Sequence, residues 1–130
     1  MKILYLSSDP GIDLAGQSGG SIHIRALVRA LADLGHDVAV VCTSVSGSSR
    51  QLEVDLKAAV HPAPLARWNR FLARKIQAAN RLLGRTPRHH PDLVRLLHNR
   101  RFVRIARAVA RELSPDFIYE HHHTGFERAP

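Results

Sequence analysis

Two hydrophobic periods alternate along this chain. Ile3-Leu4-Tyr5-Leu6 and Val38-Ala39-Val40-Val41-Cys42 are short continuous apolar runs of the kind found in strands buried on both faces. Between them Ile22, Leu27, Val28, Leu31 and Leu34 recur at helical spacing, with Ala26 and Ala30 filling in, and predict a helix over Ser21–Leu34. Ser18 or Ser21 serves as its N-cap, and Gly35 stands where a left-handed C-cap residue belongs. Ser44 to Ser49 is small and polar and reads as a loop. Leu52 to Val60 alternates and predicts a third strand, which His61-Pro62-Ala63-Pro64 ends.

Two longer amphipathic patterns follow. Ala66–Leu83 places Trp68, Phe71, Leu72, Ile76, Ala79, Leu82 and Leu83 at helical spacing and stops at Gly84. Asp92–Leu113 repeats the pattern with Leu93, Leu96, Leu97, Val103, Ala106, Val109, Ala110 and Leu113, until Ser114-Pro115 breaks it. Asp116-Phe117-Ile118-Tyr119 reads as a last strand, with Glu120-His121-His122-His123 at its carboxyl end. Strands alternating with helices predict the α/β class: a Rossmann-like parallel sheet with helices on both faces. Right-handed crossovers bring the Ser8–Gly20 loop and the Glu120–His123 segment to one edge of that sheet. Ligands of open α/β sheets bind at that edge, outside the carboxyl ends of the strands.

Length and composition narrow the class. The 130 residues allow one domain with a sizeable core, and 45% hydrophobic content excludes a disordered chain. A single cysteine, Cys42, has no internal disulfide partner and falls in an apolar strand, so it reads as a small core side chain. The apolar start is too short for a signal-peptide core or a membrane span, which makes a cytoplasmic protein the expectation. The net charge of +8 is uneven: residues 65–111 hold thirteen Lys and Arg against Asp92 alone, near +12, leaving the rest near −4.

The chemistry concentrates in the first 42 residues. The loop from Ser8 to Gly20 carries four glycines and ends at Gly19-Gly20, directly before the first helix pattern. A helix N-terminus presents unpaired N–H groups and the positive end of its dipole, a natural anchor for phosphate. A dinucleotide fold is disfavoured: Gly16-Gln17-Ser18-Gly19-Gly20 is not G-x-G-x-x-G, the loop is long, and strand two ends in Cys42-Thr43-Ser44 without a ribose-binding acid. No phosphate loop of the G-x-x-x-x-G-K-[ST] type is present.

Ser8-Asp9-Pro10-Gly11-Ile12, then Gly19-Gly20-Ser21-Ile22-His23-Ile24-Arg25, then Ala30-Leu31-Ala32-Asp33-Leu34-Gly35-His36-Asp37-Val38, and finally Pro115-Asp116-Phe117-Ile118-Tyr119-Glu120 stand in order along the chain. This series resembles the opening of a family 4 glycosyltransferase of the GT-B fold. The resemblance is dense over residues 2–42 and 113–120 and only topological between them. Two departures stand out. Ser18-Gly19-Gly20-Ser21 replaces a run that in the family usually contains lysine. Three histidines follow Glu120 where relatives commonly show arginine and a hydroxyl or aromatic residue.

The resemblance implies the N-terminal, acceptor-side half of a retaining glycosyltransferase that takes a sugar from a nucleotide-sugar donor. Its second Rossmann-like domain would bind the donor through two glutamates separated by seven residues. The chain is accordingly expected to be a truncated or separately encoded N-terminal domain, residues 1–130, inactive alone. By the same resemblance Gly19, Gly20 and Ser21 approach the donor diphosphate, His23 and Glu120 face the acceptor, and His121 or His122 reaches the reacting sugar. Glu120 has an alternative role as a structural partner of Arg25 or Arg128.

No metal and no cofactor are expected, because consecutive histidines on an extended segment alternate sides and no Cys or carboxylate stands at zinc-ligand spacing. The basic helices at 66–83 and 92–113 have three readings. They are solvated faces, a surface for an anionic membrane at the inner face of which the chain would sit, or, least favoured for want of any recognition motif, a nucleic-acid contact.

Overall fold

In the computed structural model the two periods resolve into eight elements; residues 1–64, 67–84 and 92–121 are described. In chain order these are β1 (Lys2–Ser7), α1 (Gly19–Asp33), β2 (Asp37–Cys42), α2 (Ser49–Leu56), β3 (Ala59–Pro62), α3 (Arg67–Leu82), α4 (Asp92–Leu113) and β4 (Phe117–His121). The strands form a parallel sheet in the order β3-β2-β1-β4. Register pairs Ile3 with Val38 and Phe117, and Ser7 with Cys42 and His121.

Strand alternation divides the core into two layers. Ile3, Tyr5, Val38, Val40, Cys42 and Val60 face one side, where Ile24 and Val28 of α1 and Leu52 and Leu56 of α2 cover them. Leu4, Ala39 and Val41 face the other, under Phe102, Ala106 and Val109 of α4. The expected α/β sheet with helices on both faces is what the chain forms. β4, at the outer edge, is thinly covered: Phe117, Ile118 and Tyr119 all remain exposed.

The expected strand over Leu52–Val60 is corrected. Residues 49–56 are helical, and only Ala59–Pro62 pairs with β2. Leu52, Val54 and Leu56 alternate in sequence, but only Leu52 and Leu56, four apart, are buried, while Val54 points to solvent. Ser48 caps the helix by accepting from the Gln51 amide, Lys57 ends it in the left-handed region (φ 52°), and Glu53 reaches forward to accept from the Val60 amide at 3.0 Å. Pro62 is tolerated because β3 is an edge strand.

A second correction concerns α1, which begins at Gly19, with Ser18 as its N-cap. The adjacent glycines therefore lie inside the first turn. At the far end Gly35 takes φ +87°, the left-handed conformation expected of it.

Candidate functional site

The carboxyl end of the sheet is built by the segment from Ser8 to Ser18, which behaves as a pinned shelf. Ile12 and Leu14 anchor it in the core. On the β2 side, the Thr43 hydroxyl donates to the Asp9 carbonyl at 2.7 Å. The Leu14 amide donates to the Ser44 carbonyl at 3.0 Å, and the Ser46 amide to the Asp13 carboxylate at 2.9 Å. On the α1 side, the Arg25 guanidinium donates to the carbonyls of Leu14 (2.7 Å) and Gly16 (2.6 Å). Charged donors to carbonyls are among the stronger single hydrogen bonds of a fold.

Asp13 is the junction of the two sides. Hydrogen bonds from Ser46, then from Ala15, with Arg25 nearby, hold its carboxyl below the usual range against a smaller opposing effect of burial.

Ser21 is fully buried under this shelf. Its hydroxyl lies 2.5 Å from the Asp13 carbonyl and 2.7 Å from the Ser18 hydroxyl, and its amide donates to Ser18 Oγ at 3.2 Å. A carbonyl only accepts, so the single Ser21 proton goes to Asp13 and the Ser18 hydroxyl must donate to Ser21. The expected diphosphate contact from Ser21 thus meets a residue whose donors are already spent within the fold, and Ser21 acts as a pin.

Gly16 completes the pin. A Cβ there would stand 3.0 Å from the Asp13 carbonyl oxygen and 3.3 Å from Ser21 Oγ, so both would have to give way by a few tenths of an ångström to admit it. Gly19 and Gly20 differ from it. Ile22 makes the first intrahelical bond, to the Ser18 carbonyl, and the Ser21 amide is taken by Ser18 Oγ, which leaves the Gly19 and Gly20 amides with no acceptor among the described residues. Gly19 is exposed and a Cβ added to it would meet nothing within 4 Å, whereas Gly20 is half-buried with Ile12 3.1 Å from that position. The helix opening therefore offers two adjacent donors, the first of them on an exposed residue.

β4 brings the second group of candidates to the same edge. His121 is in register with Ser7, and its ring centroid lies 6.2 Å from that of His23 on α1, tilted 42°. These two expected residues come together. Glu120 pairs in register with Leu6, whose side chain belongs to the α4 layer, so strand alternation turns Glu120 to the other face. Arg25 instead turns its Nη1 to the shelf carbonyls. His122 and Arg128 lie outside the described residues.

Glu112 and Glu120 have the seven-residue spacing of the family's donor-site glutamates. They stand at opposite ends of the sheet, however: Glu112 is in the last turn of α4, ahead of the start of β4, and Glu120 is at its carboxyl end. They form no common site. Tyr119 stacks on Tyr5 with centroids 5.0 Å apart and planes 20° apart. Tyr5 is fully buried, its hydroxyl has no partner among the described residues, and burial, with Tyr119 adding to it, pushes its phenol up to about 12. No group of three His, Cys, Asp or Glu side chains clusters among the described residues. An open depression of about 390 Å³ lies at the opposite end of the sheet, lined by Met1, Lys2, Gly35, Asp37, Ser114 and Asp116, away from these groups.

Sequence reasoning missed Asp13, Thr43 and the clamp role of Arg25. Arg25 follows Ser21 by four residues and so shares its helix face, the one local signal that it turns toward the shelf. Asp13 and Thr43 act through partners more than thirty residues away, which no local pattern reveals.

No helix among the described residues is long and apolar enough to cross a membrane. Comparison with curated proteins and with solved structures returned no match. Comparison with protein families matched residues 17–130 to the family described as Glycosyltransferase Family 4. That stretch takes in α1, the sheet beyond β1, both basic helices and β4. With its parallel α/β sheet, the chain belongs to glycosyltransferase family 4, a family of the GT-B fold.

Proposed function

We propose that this chain is the acceptor-side half of a retaining glycosyltransferase that uses a nucleotide-sugar donor. In this reading the donor is held by a second Rossmann-like domain supplied outside these residues, and the chain by itself turns over no substrate. The observation that carries the reading is the pair of acceptor-free amides at Gly19 and Gly20, in the first turn of α1 beside a pinned shelf at the carboxyl edge of the sheet.

As the glycosidic bond to the donor breaks, the departing nucleoside diphosphate gains negative charge. Two fixed N–H donors at the positive end of a fifteen-residue helix stabilise that charge without reorganising. The Ser18–Ser21–Asp13 chain holds the helix opening in place, so its ordering cost is met on folding and not on binding. His23 and His121, whose rings meet at the same edge, take the acceptor or the reacting sugar, with His122 as a further candidate by sequence.

The test is a titration of isotope-labelled chain with pyrophosphate, UDP, GDP and ADP. Millimolar ligand should move the Gly19 and Gly20 amide resonances first. Gly19→Ala should abolish that response while leaving the fold intact, or firmer by about 0.5–1 kcal/mol, since alanine replaces glycine in a helix. Amide shifts centred elsewhere, or the same response in Gly19→Ala, would remove the diphosphate assignment. Turnover of a nucleotide sugar by the chain alone would overturn the half-site reading.

A further inference from the structure

The face of α4 remote from the sheet, together with α3, carries a surface that the glycosyl-transfer site does not use. α3 contacts α4 and turns Leu72 and Ile76 inward, half-buried. Its outer side is unusual for a water-facing helix: Phe71 is 53% exposed, Leu82 89%, and Leu83, just beyond its end, 70%. Phe71, Lys75, Ala78 and Leu82 follow one another at intervals of four, three and four residues, which places them in one row. Arg74 and Arg81 occupy the adjoining row, both exposed. The Lys75 ammonium sits 5.5 Å from the Phe71 ring centroid, so charge and aromatic surface share one patch. The sequence Arg67–Leu82 holds five cations and no acid.

α4 extends the cationic field. Arg100, Arg104, Arg107 and Arg111 repeat the same intervals, all exposed, opposite the buried face of Phe102, Ala106 and Val109. Eleven helical steps from Arg100 to Arg111 make that row about 16 Å long. The described ion pairs, Arg29–Asp33 and Lys57–Asp33, lie on other elements.

We propose that α3 and α4 form a docking surface for an anionic lipid bilayer. Charge complementarity identifies the partner's sign, and the aliphatic and aromatic groups among the cations identify its class. A solvated cationic face has no use for Leu82 and Leu83 held in water. A nucleic-acid backbone would reward the arginine rows but leave those side chains unburied. The boundary between headgroups and acyl chains takes both, cations at the phosphates and apolar side chains below them. α4 covers the sheet face opposite α1, so a docked chain keeps the Gly19–Gly20 opening clear of the bilayer. The inference stands whether or not that opening binds a diphosphate.

Co-sedimentation of the full chain with vesicles tests it directly. Phosphatidylcholine vesicles containing one third phosphatidylglycerol should bind the chain, pure phosphatidylcholine should not, and added salt should release it. Replacing Arg74, Lys75 and Arg81 together with Gln should weaken binding by about a hundredfold, at roughly fivefold per cation. Leu82→Ser should weaken it by about tenfold; at 89% exposure this change leaves the fold untouched, which circular dichroism checks. Equal binding to neutral and anionic vesicles, or none to either, overturns the proposal. So does binding to duplex DNA that exceeds binding to anionic vesicles at the same salt and is unaffected by Leu82→Ser.

Discussion

Replacing Ser21 with alanine separates a pin from a ligand contact. The hydroxyl donates to the Asp13 carbonyl and accepts from Ser18, so Ser21→Ala deletes two part-buried hydrogen bonds. Neither surviving partner is stranded. The Asp13 carbonyl still accepts from the Gly16 amide at 2.8 Å, and Ser18 is exposed and can turn to water. The loss is therefore that of two ordinary bonds, about 2 kcal/mol, and not the larger penalty for an orphaned buried group. For 130 residues the unfolding entropy is roughly 0.27 kcal/mol/K, so the melting temperature should fall by about 7 °C.

Thermal melting by circular dichroism measures this change, and urea unfolding should show a lower midpoint at an unchanged slope. Hydrogen exchange localises it: the Leu14 amide, bonded to Ser44 across the shelf, should exchange faster in the variant than amides of β1. Ser18→Ala removes the cap and costs about 1 kcal/mol alone. Because Ser18 and Ser21 share a bond, the double variant should lose less than the sum of the two single changes. A melting point lowered by less than about 2 °C in Ser21→Ala, or strict additivity with Ser18→Ala, would refute the pin.

Two further outcomes follow from the same edge of the sheet. Burial, with Asp13 a lesser contributor, pushes the Cys42 thiol up to about 12, so the native chain at pH 8 should resist iodoacetamide and become alkylated only in denaturant; rapid alkylation of the folded chain would contradict this. The lowered carboxyl of Asp13 contributes stability that is complete above the unfolded value of about 4 and is lost as pH falls through the native value. Asp13→Asn keeps an oxygen for the Ala15 and Ser46 amides, so its urea midpoint should fall less steeply below about pH 4 than that of the parent chain; Asp33, whose carboxyl Lys57 and Arg29 also lower, keeps part of the slope.

Most of the fold was legible because its signals are local. β1, β2 and β4 are apolar runs bounded by polar turns, and α1 and α4 show as helices by their spacing, although Ile22, Leu34 and Val103, counted on the apolar faces, are exposed and Ile24 is buried in their stead. α2 was hidden for a physical reason. In a helix of eight residues only Leu52 and Leu56 are buried, and an exposed Val54 between them counterfeits the alternation of a strand. The candidate site was legible as a location, since strand order and the glycine pair place the edge. Its working parts were less so: Ser21 looked like a phosphate contact until its buried bonds showed both donors committed, and Glu120 shared a segment with His121 while strand alternation set it on the other face. Arg25 and Asp13 hold the shelf through the folded geometry alone.

β4 is both the outermost strand among the described residues and the carrier of His121. The rungs that tie it to β1 also set how far His121 stands from His23, so a polypeptide that adds itself along the strand's outer rim would tug on that spacing. Lengthening the sheet and tuning the site are thus mechanically one operation, and crowding at the rim should register as a change in histidine geometry before it registers as precipitation.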